Sequence, residues 1–104
     1  MIVTVYGAEA PCPSCLHAPS SRETMEWLDA AIRRKYPDFD VTVRYVDIYE
    51  PVTAEDKVYA EKIINDEYFY PLVVAGDEVI GEGDPRLKII FQYLEDHGLA
   101  AKDL

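Results

Sequence analysis

Cysteine is nearly absent from this 104-residue sequence: there are two, Cys12 and Cys15, and the loop they would close is too short to restrain an unfolded chain appreciably. A disulfide-stapled scaffold is thereby excluded. Long apolar runs are also missing; none approaches the roughly 18 residues that a bilayer-spanning helix needs. Basic residues are scarce, ten Lys and Arg against twenty Asp and Glu, giving a formal charge of −10. Such a chain repels phosphate backbones and anionic lipid surfaces, which argues against nucleic-acid and membrane partners. The opening Met1-Ile2-Val3-Thr4-Val5-Tyr6 carries neither a basic start nor a small-residue cleavage site, so the expectation is a cytoplasmic protein without a signal peptide. There is no low-complexity stretch, internal repeat or linker.

What remains is enough for one core. A hydrophobic fraction of 49% with 12% aromatics can offset the ordering entropy of a chain this long, and the length suits one domain over residues 1–104.

Ile2 to Tyr6, β-branched and aromatic and closed by Gly7, reads as a buried strand. From Ser20 to about Lys35, Met25, Leu28, Ala31 and Ile32 recur at helical spacing behind a Ser20/Glu23 capping box, and Tyr36-Pro37 ends the helix. Asp40 to Ile48, with Val41, Val43, Tyr45 and Val46, has the pattern of a second strand. Thr53 and Asp56 cap a second helix running to about Tyr68, with a weaker apolar set of Val58, Tyr59, Ile63 and Ile64. Pro71 to Ala75 and Glu78 to Ile80 form an antiparallel hairpin across Gly76-Asp77. Asp84-Pro85 supplies a capping side chain and a first-turn proline to a last helix, where Leu87, Ile90, Phe91 and Leu94 make the apolar stripe and His97-Gly98 the stop. The order β-α-β-α-β-β-α predicts a mixed four-stranded sheet flanked by helices, an α/β fold with the first two strands parallel.

Chemistry concentrates in Ala10-Pro11-Cys12-Pro13-Ser14-Cys15. Pro11 extends the preceding residue and Pro13 is preset for a helical first turn, which puts Cys12 at or near a helix N-cap facing unpaired N–H groups. A thiol in that setting ionises readily, so Cys12 reads as the attacking thiolate and Cys15, one turn on, as the resolving thiol. Two other accounts of the pair stand beside this one: small core residues, or ligands of a metal or iron-sulfur cluster shared between two subunits. A zinc site within one chain would need His17 and His97, the first too close in sequence and the second at the far end of the last helix. No metal and no cofactor are therefore expected. Pro71, opening a strand, removes a ladder donor and tolerates a cis bond. Phe69, Tyr70 and Tyr68 beside it are candidates for a docking surface, with core packing as the alternative.

Nearly the whole chain resembles the thioredoxin fold, and its glutaredoxin-like branch in particular. Glutaredoxins continue from a first strand into C-P-x-C, as Cys12-Pro13-Ser14-Cys15 does here, and carry a cis proline followed at a fixed distance by Ile-Gly-Gly-x-Asp, where this chain has Pro71 and then Ile80-Gly81-Glu82-Gly83-Asp84. Pro19 is similar to the kink-forming proline of thioredoxins, one residue closer. The stretches APCPSC, SSRETMEWL and DEYFYPLVV look most like the small YuzD-like family, described as candidate disulfide oxidoreductases. The resemblance implies a thioredoxin-like fold and thiol-disulfide exchange with a protein or small-molecule disulfide. It also implies a substrate groove involving Tyr70, Pro71, Gly81, Glu82 and Asp84. Two departures bear on the partner: glutaredoxins have a Lys where this chain has Glu9, and a Gly where it has Glu82. Both add negative charge where glutathione would sit, so a protein dithiol or disulfide is the expected partner and glutathione a poor one. His17 has two readings, a solvated surface histidine or a modulator of the Cys12 thiol. An iron-sulfur or metal carrier, and a non-catalytic interaction module that docks a basic partner, are the alternative functions.

Overall fold

The computed structural model describes residues 1–8, 21–83 and 85–99. The elements are β1 (Ile2–Gly7), α1 (Ser21–Lys35), β2 (Thr42–Asp47), α2 (Ala54–Ile64), β3 (Leu72–Ala75), β4 (Glu78–Glu82) and α3 (Leu87–Asp96). The sheet order is β2-β1-β3-β4. β1 runs parallel to β2, with Thr4 opposite Arg44 and Gly7 opposite Asp47, and antiparallel to β3, with Tyr6 opposite Leu72. This is the mixed α/β, thioredoxin-like arrangement that the element order implies.

Strand alternation divides the apolar residues between the two faces of the sheet. Val3, Val5, Val73, Ala75 and Ile80 pack with Leu28 and Ile32 of α1 and Ile90 and Leu94 of α3. Tyr6, Ala8, Val46, Leu72 and Val74 pack with Ala60 and Ile63 of α2 on the other. Tyr36, just past α1, joins that helix to α3: its hydroxyl donates to Glu95 Oε2 at 3.0 Å and to the Phe91 carbonyl at 3.3 Å, and its ring meets Phe91 edge-on.

Three expectations need correction. The second helix ends at Ile64, four residues before Tyr68, because Asn65 caps it and Asp66 adopts a positive φ of 63° that a helix cannot continue through. Its inward face is only partly the expected one: Ile63 is buried and Tyr59 packs against the core, but Val58 and Ile64 are exposed and Asp56 and Ala60 are buried in their place. The last helix starts at Leu87, with Arg86 as N-cap and no side-chain capping bond, so Pro85 is not its first residue. Pro85 is buried and lies so close to Gly81 that a Cβ there would come within 3.0 Å of the Pro85 Cβ. The proline is committed to packing on β4, and the helix begins after it. Asp84 lies outside the described residues.

Candidate functional site

One end of the sheet collects the flanks of every segment singled out above. β1 ends at Gly7, whose carbonyl accepts the Ile48 N–H at 2.9 Å from just beyond β2. Because Tyr6 faces Leu72 in antiparallel register, Pro71 stands level with Gly7. Leu72 in turn faces Glu82, which brings the end of β4 to the same place, where the Gly83 N–H donates to the Pro71 carbonyl at 3.0 Å. The Tyr70–Pro71 bond is cis.

The chain on either side of the cysteine segment is drawn together here. The Ala8 N–H donates to Ser21 Oγ at 3.4 Å, and Ser21 opens α1. Ala8 and Ser21, the described residues that flank Cys12 and Cys15 in the sequence, thus meet at the end of the sheet where Pro71 stands. Cys12, Cys15, Glu9, Pro13 and His17 themselves lie outside the described residues, as does Asp84.

Gly7 is what allows this approach. A Cβ built on it would collide with both Cβ and Oγ of Ser21, so the start of α1 and the end of β1 can sit this close only without a side chain at position 7. Gly7→Ala is expected to lower stability by about 1–3 kcal/mol, the usual cost of overpacking, in urea denaturation. Adding Ser21→Gly should recover part of that loss, because it removes the atoms the new methyl meets.

The aromatic segment before Pro71 splits. Tyr68 and Tyr70 are half-buried against the α2-side cluster, so core packing accounts for them. Phe69 is 68% exposed. Its backbone N–H donates to Glu82 Oε2 at 3.0 Å, a contact between residues 13 positions apart that no local pattern announces. Gly81 has a packing reason for being glycine, its closeness to Pro85.

A second polar group that sequence reasoning missed lies beneath α2. Asp56 is fully buried, and its carboxylate accepts from the Tyr6 hydroxyl at 2.8 Å and from Arg44 Nη2 at 3.0 Å and Nη1 at 3.3 Å. It also accepts the Thr53 N–H at 3.1 Å while its own N–H donates to Thr53 Oγ1, completing a capping box. Burial opposes ionisation of Asp56, but the bonds from Arg44, Tyr6 and Thr53 outweigh it and hold its pKa down at about 2. Burial, reinforced by the Asp56 bond, raises the Tyr6 hydroxyl well above the usual tyrosine range. The Thr53-x-x-Asp56 spacing marked the cap and gave no sign of the ion pair.

His97 stacks on Tyr93 with ring centroids 4.0 Å apart. Among the described residues no group of three or more His, Cys, Asp and Glu is placed to hold a metal ion. None of the described helices is long and apolar enough to cross a membrane.

Comparison with known proteins places this arrangement among relatives. The model of the family described as "Protein of unknown function (DUF1462)" matches residues 4–95. The chain belongs to this family. It is 50% identical over 99 residues to a Bacillus subtilis (strain 168) protein named "Putative disulfide oxidoreductase YuzD", covering 94% of this chain and 92% of that protein. A crystal structure of the Staphylococcus aureus protein SA0789 superposes with a TM-score of 0.82 at 37% identity, covering 91% of this chain and 88% of that one. The family match therefore spans the sheet except the first two residues of β1, all but the last residue of α3 and the stretch from Ala8 to Ser21 that carries both cysteines.

Proposed function

We propose that this protein is a thiol-disulfide oxidoreductase acting through Cys12 and Cys15. The observation that supports the reading best is topological: Ala8 and Ser21, which flank the twelve residues containing C-P-S-C, meet at the end of the sheet where β1 stops and β3 starts after Pro71. The name carried by the Bacillus relative agrees with it.

In this reading the Cys12 thiolate attacks one sulfur of a substrate disulfide. A Cys12–substrate mixed disulfide forms and the other substrate sulfur leaves as a thiolate. The Cys15 thiolate then attacks Cys12 Sγ, closing the Cys12–Cys15 disulfide and releasing the second substrate thiol. Substrate gains two electrons and the protein loses two, and a dithiol reductant returns them. Pro71, with Tyr70 before it, borders the groove in which the substrate lies.

The partner follows from charge. Glu82 holds its carboxylate at the Pro71 end, Glu9 stands three residues before Cys12, and glutathione is itself anionic. The purified protein is expected to reduce a protein disulfide at the expense of a thioredoxin-type dithiol several times faster than at the expense of glutathione. Glu9→Lys should raise the glutathione rate, with a gain that shrinks as salt rises, since exposed charges are screened over about 8 Å at physiological ionic strength. Saturable glutathione turnover, indifferent to salt and to Glu9→Lys, would restore an ordinary glutaredoxin reading; no exchange with either reductant would remove the proposal.

A further inference from the structure

Two side chains at the Pro71 end, Phe69 and Glu82, form and break no bond in the exchange chemistry above, and Glu82 enters it so far only through its charge. A single exposed apolar residue is unremarkable in itself, but Phe69 sits on backbone that is fastened on both sides. Its N–H is held by the Glu82 carboxylate at 3.0 Å, and two residues on the Pro71 carbonyl is held by the Gly83 N–H at 3.0 Å. Gly83 has a φ of +73°, and a Cβ there would stand 3.5 Å from the Phe69 Cβ, so the end of β4 lies against this residue. The Glu82 backbone is paired with Leu72, which leaves its side chain free to serve the clamp without affecting the strand. A backbone N–H bonded to an ionised carboxylate makes a stronger contact than one bonded to a neutral acceptor.

We propose that Glu82 is a positioning residue of the exchange reaction, clamping the Phe69–Pro71 segment so that the Phe69 ring forms a fixed contact beside Pro71 for an apolar side chain next to the disulfide of a protein substrate. This rests on the oxidoreductase reading. An aromatic ring offers a large apolar area with two torsions to immobilise, and backbone already held in place leaves less to be ordered when the substrate arrives. A small disulfide has no side chain that reaches the ring, so the clamp discriminates by substrate class.

The test combines amide hydrogen exchange with steady-state kinetics on Glu82→Ala, Glu82→Gln and Phe69→Ala. In Glu82→Ala the Phe69 amide should lose protection by about tenfold or more, the factor expected for a lost hydrogen bond to a charged group. KM for a protein disulfide should rise with it, so that the efficiency ratio of protein disulfide to bis(2-hydroxyethyl) disulfide falls about fivefold, an apolar contact's worth of discrimination. Phe69→Ala should lower the same ratio while keeping the amide protected. Glu82→Gln, whose side-chain oxygen accepts the same bond, should recover most of both effects. Unchanged Phe69 protection in Glu82→Ala, or Glu82→Gln as defective as Glu82→Ala, would overturn the clamp. An unchanged ratio in Phe69→Ala would overturn the substrate contact. A wild-type protein inert toward both disulfides would overturn the oxidoreductase reading and the substrate role with it, while amide exchange would still decide whether Glu82 holds Phe69.

Discussion

Cys12→Ser is expected to abolish disulfide exchange, by about 10³-fold or more, the scale on which removal of a covalent nucleophile acts. Serine keeps the shape of the side chain and takes away the thiolate, on which attack depends. Cys15→Ser has a different expected outcome: attack proceeds, resolution does not, and a Cys12 mixed disulfide accumulates that mass spectrometry detects as a covalent adduct of the substrate. The asymmetry is what the sequence leads one to expect, since Pro11 and Pro13 favour a helix start at Cys12 with Cys15 three positions further on. Alkylation kinetics near pH 6 provide an independent check, because only a thiol of lowered pKa reacts readily there. Equal rates for the two cysteines would remove the basis of the assignment.

Arg44→Met is expected to destabilise the fold by about 3–5 kcal/mol, the range for stranding a buried charge. The Asp56 side chain is 1% exposed, whereas that of Arg44 is 33% exposed. Removing the arginine leaves a carboxylate with no access to water. Asp56→Asn leaves a guanidinium that water reaches, and should cost less, about 1–3 kcal/mol. The two variants thus rank in the order of burial of the partner left behind, which thermal denaturation near pH 7 measures.

The dependence on pH has a definite sign. Asp56 has a folded-state pKa of about 2 against an ordinary 3.8. Its contribution, roughly 2 kcal/mol for a shift of this size, is complete above the unfolded pKa and is lost as pH falls from about 4 through about 2. Without Arg44 the largest opposing influence on Asp56 is burial, which raises its pKa. In Arg44→Met, where only Tyr6 and Thr53 still oppose burial, the stability lost between about pH 4 and 2 should therefore be smaller than in wild type. Denaturation midpoints at pH 2.5, 4 and 6 in wild type and variant check this; parallel pH dependences would show that Asp56 and Arg44 are not coupled.

Legibility in the sequence followed the range of the interactions. α1 and α3 were readable because Leu28 and Ile32, and Ile90 and Leu94, repeat at helical spacing and are buried. The hairpin was readable because Gly76-Asp77 is a local turn, with Gly76 at a φ of +59°. α2 was misjudged because its inward face is built on a charged residue, Asp56, and on the small Ala60, while two of its larger aliphatics face solvent. The start of α3 was misjudged because Pro85 answers to Gly81 across the turn from β4 and not to the helix after it. The cysteine motif is contiguous and could be read directly. The Asp56 contacts, reaching 12 residues back to Arg44 and 50 to Tyr6, and the Glu82–Phe69 bond depend on the fold being complete.

The meeting of Ala8 and Ser21 separates chemistry from architecture. With Ala8 and Ser21 held together, the closure entropy of the connection between them depends only weakly on its length, by about 0.6 kcal/mol for each doubling. A different dipeptide between the cysteines, or extra glycine and serine residues between the same two anchors, therefore measures how far the sheet and its helices depend on what joins Ala8 to Ser21.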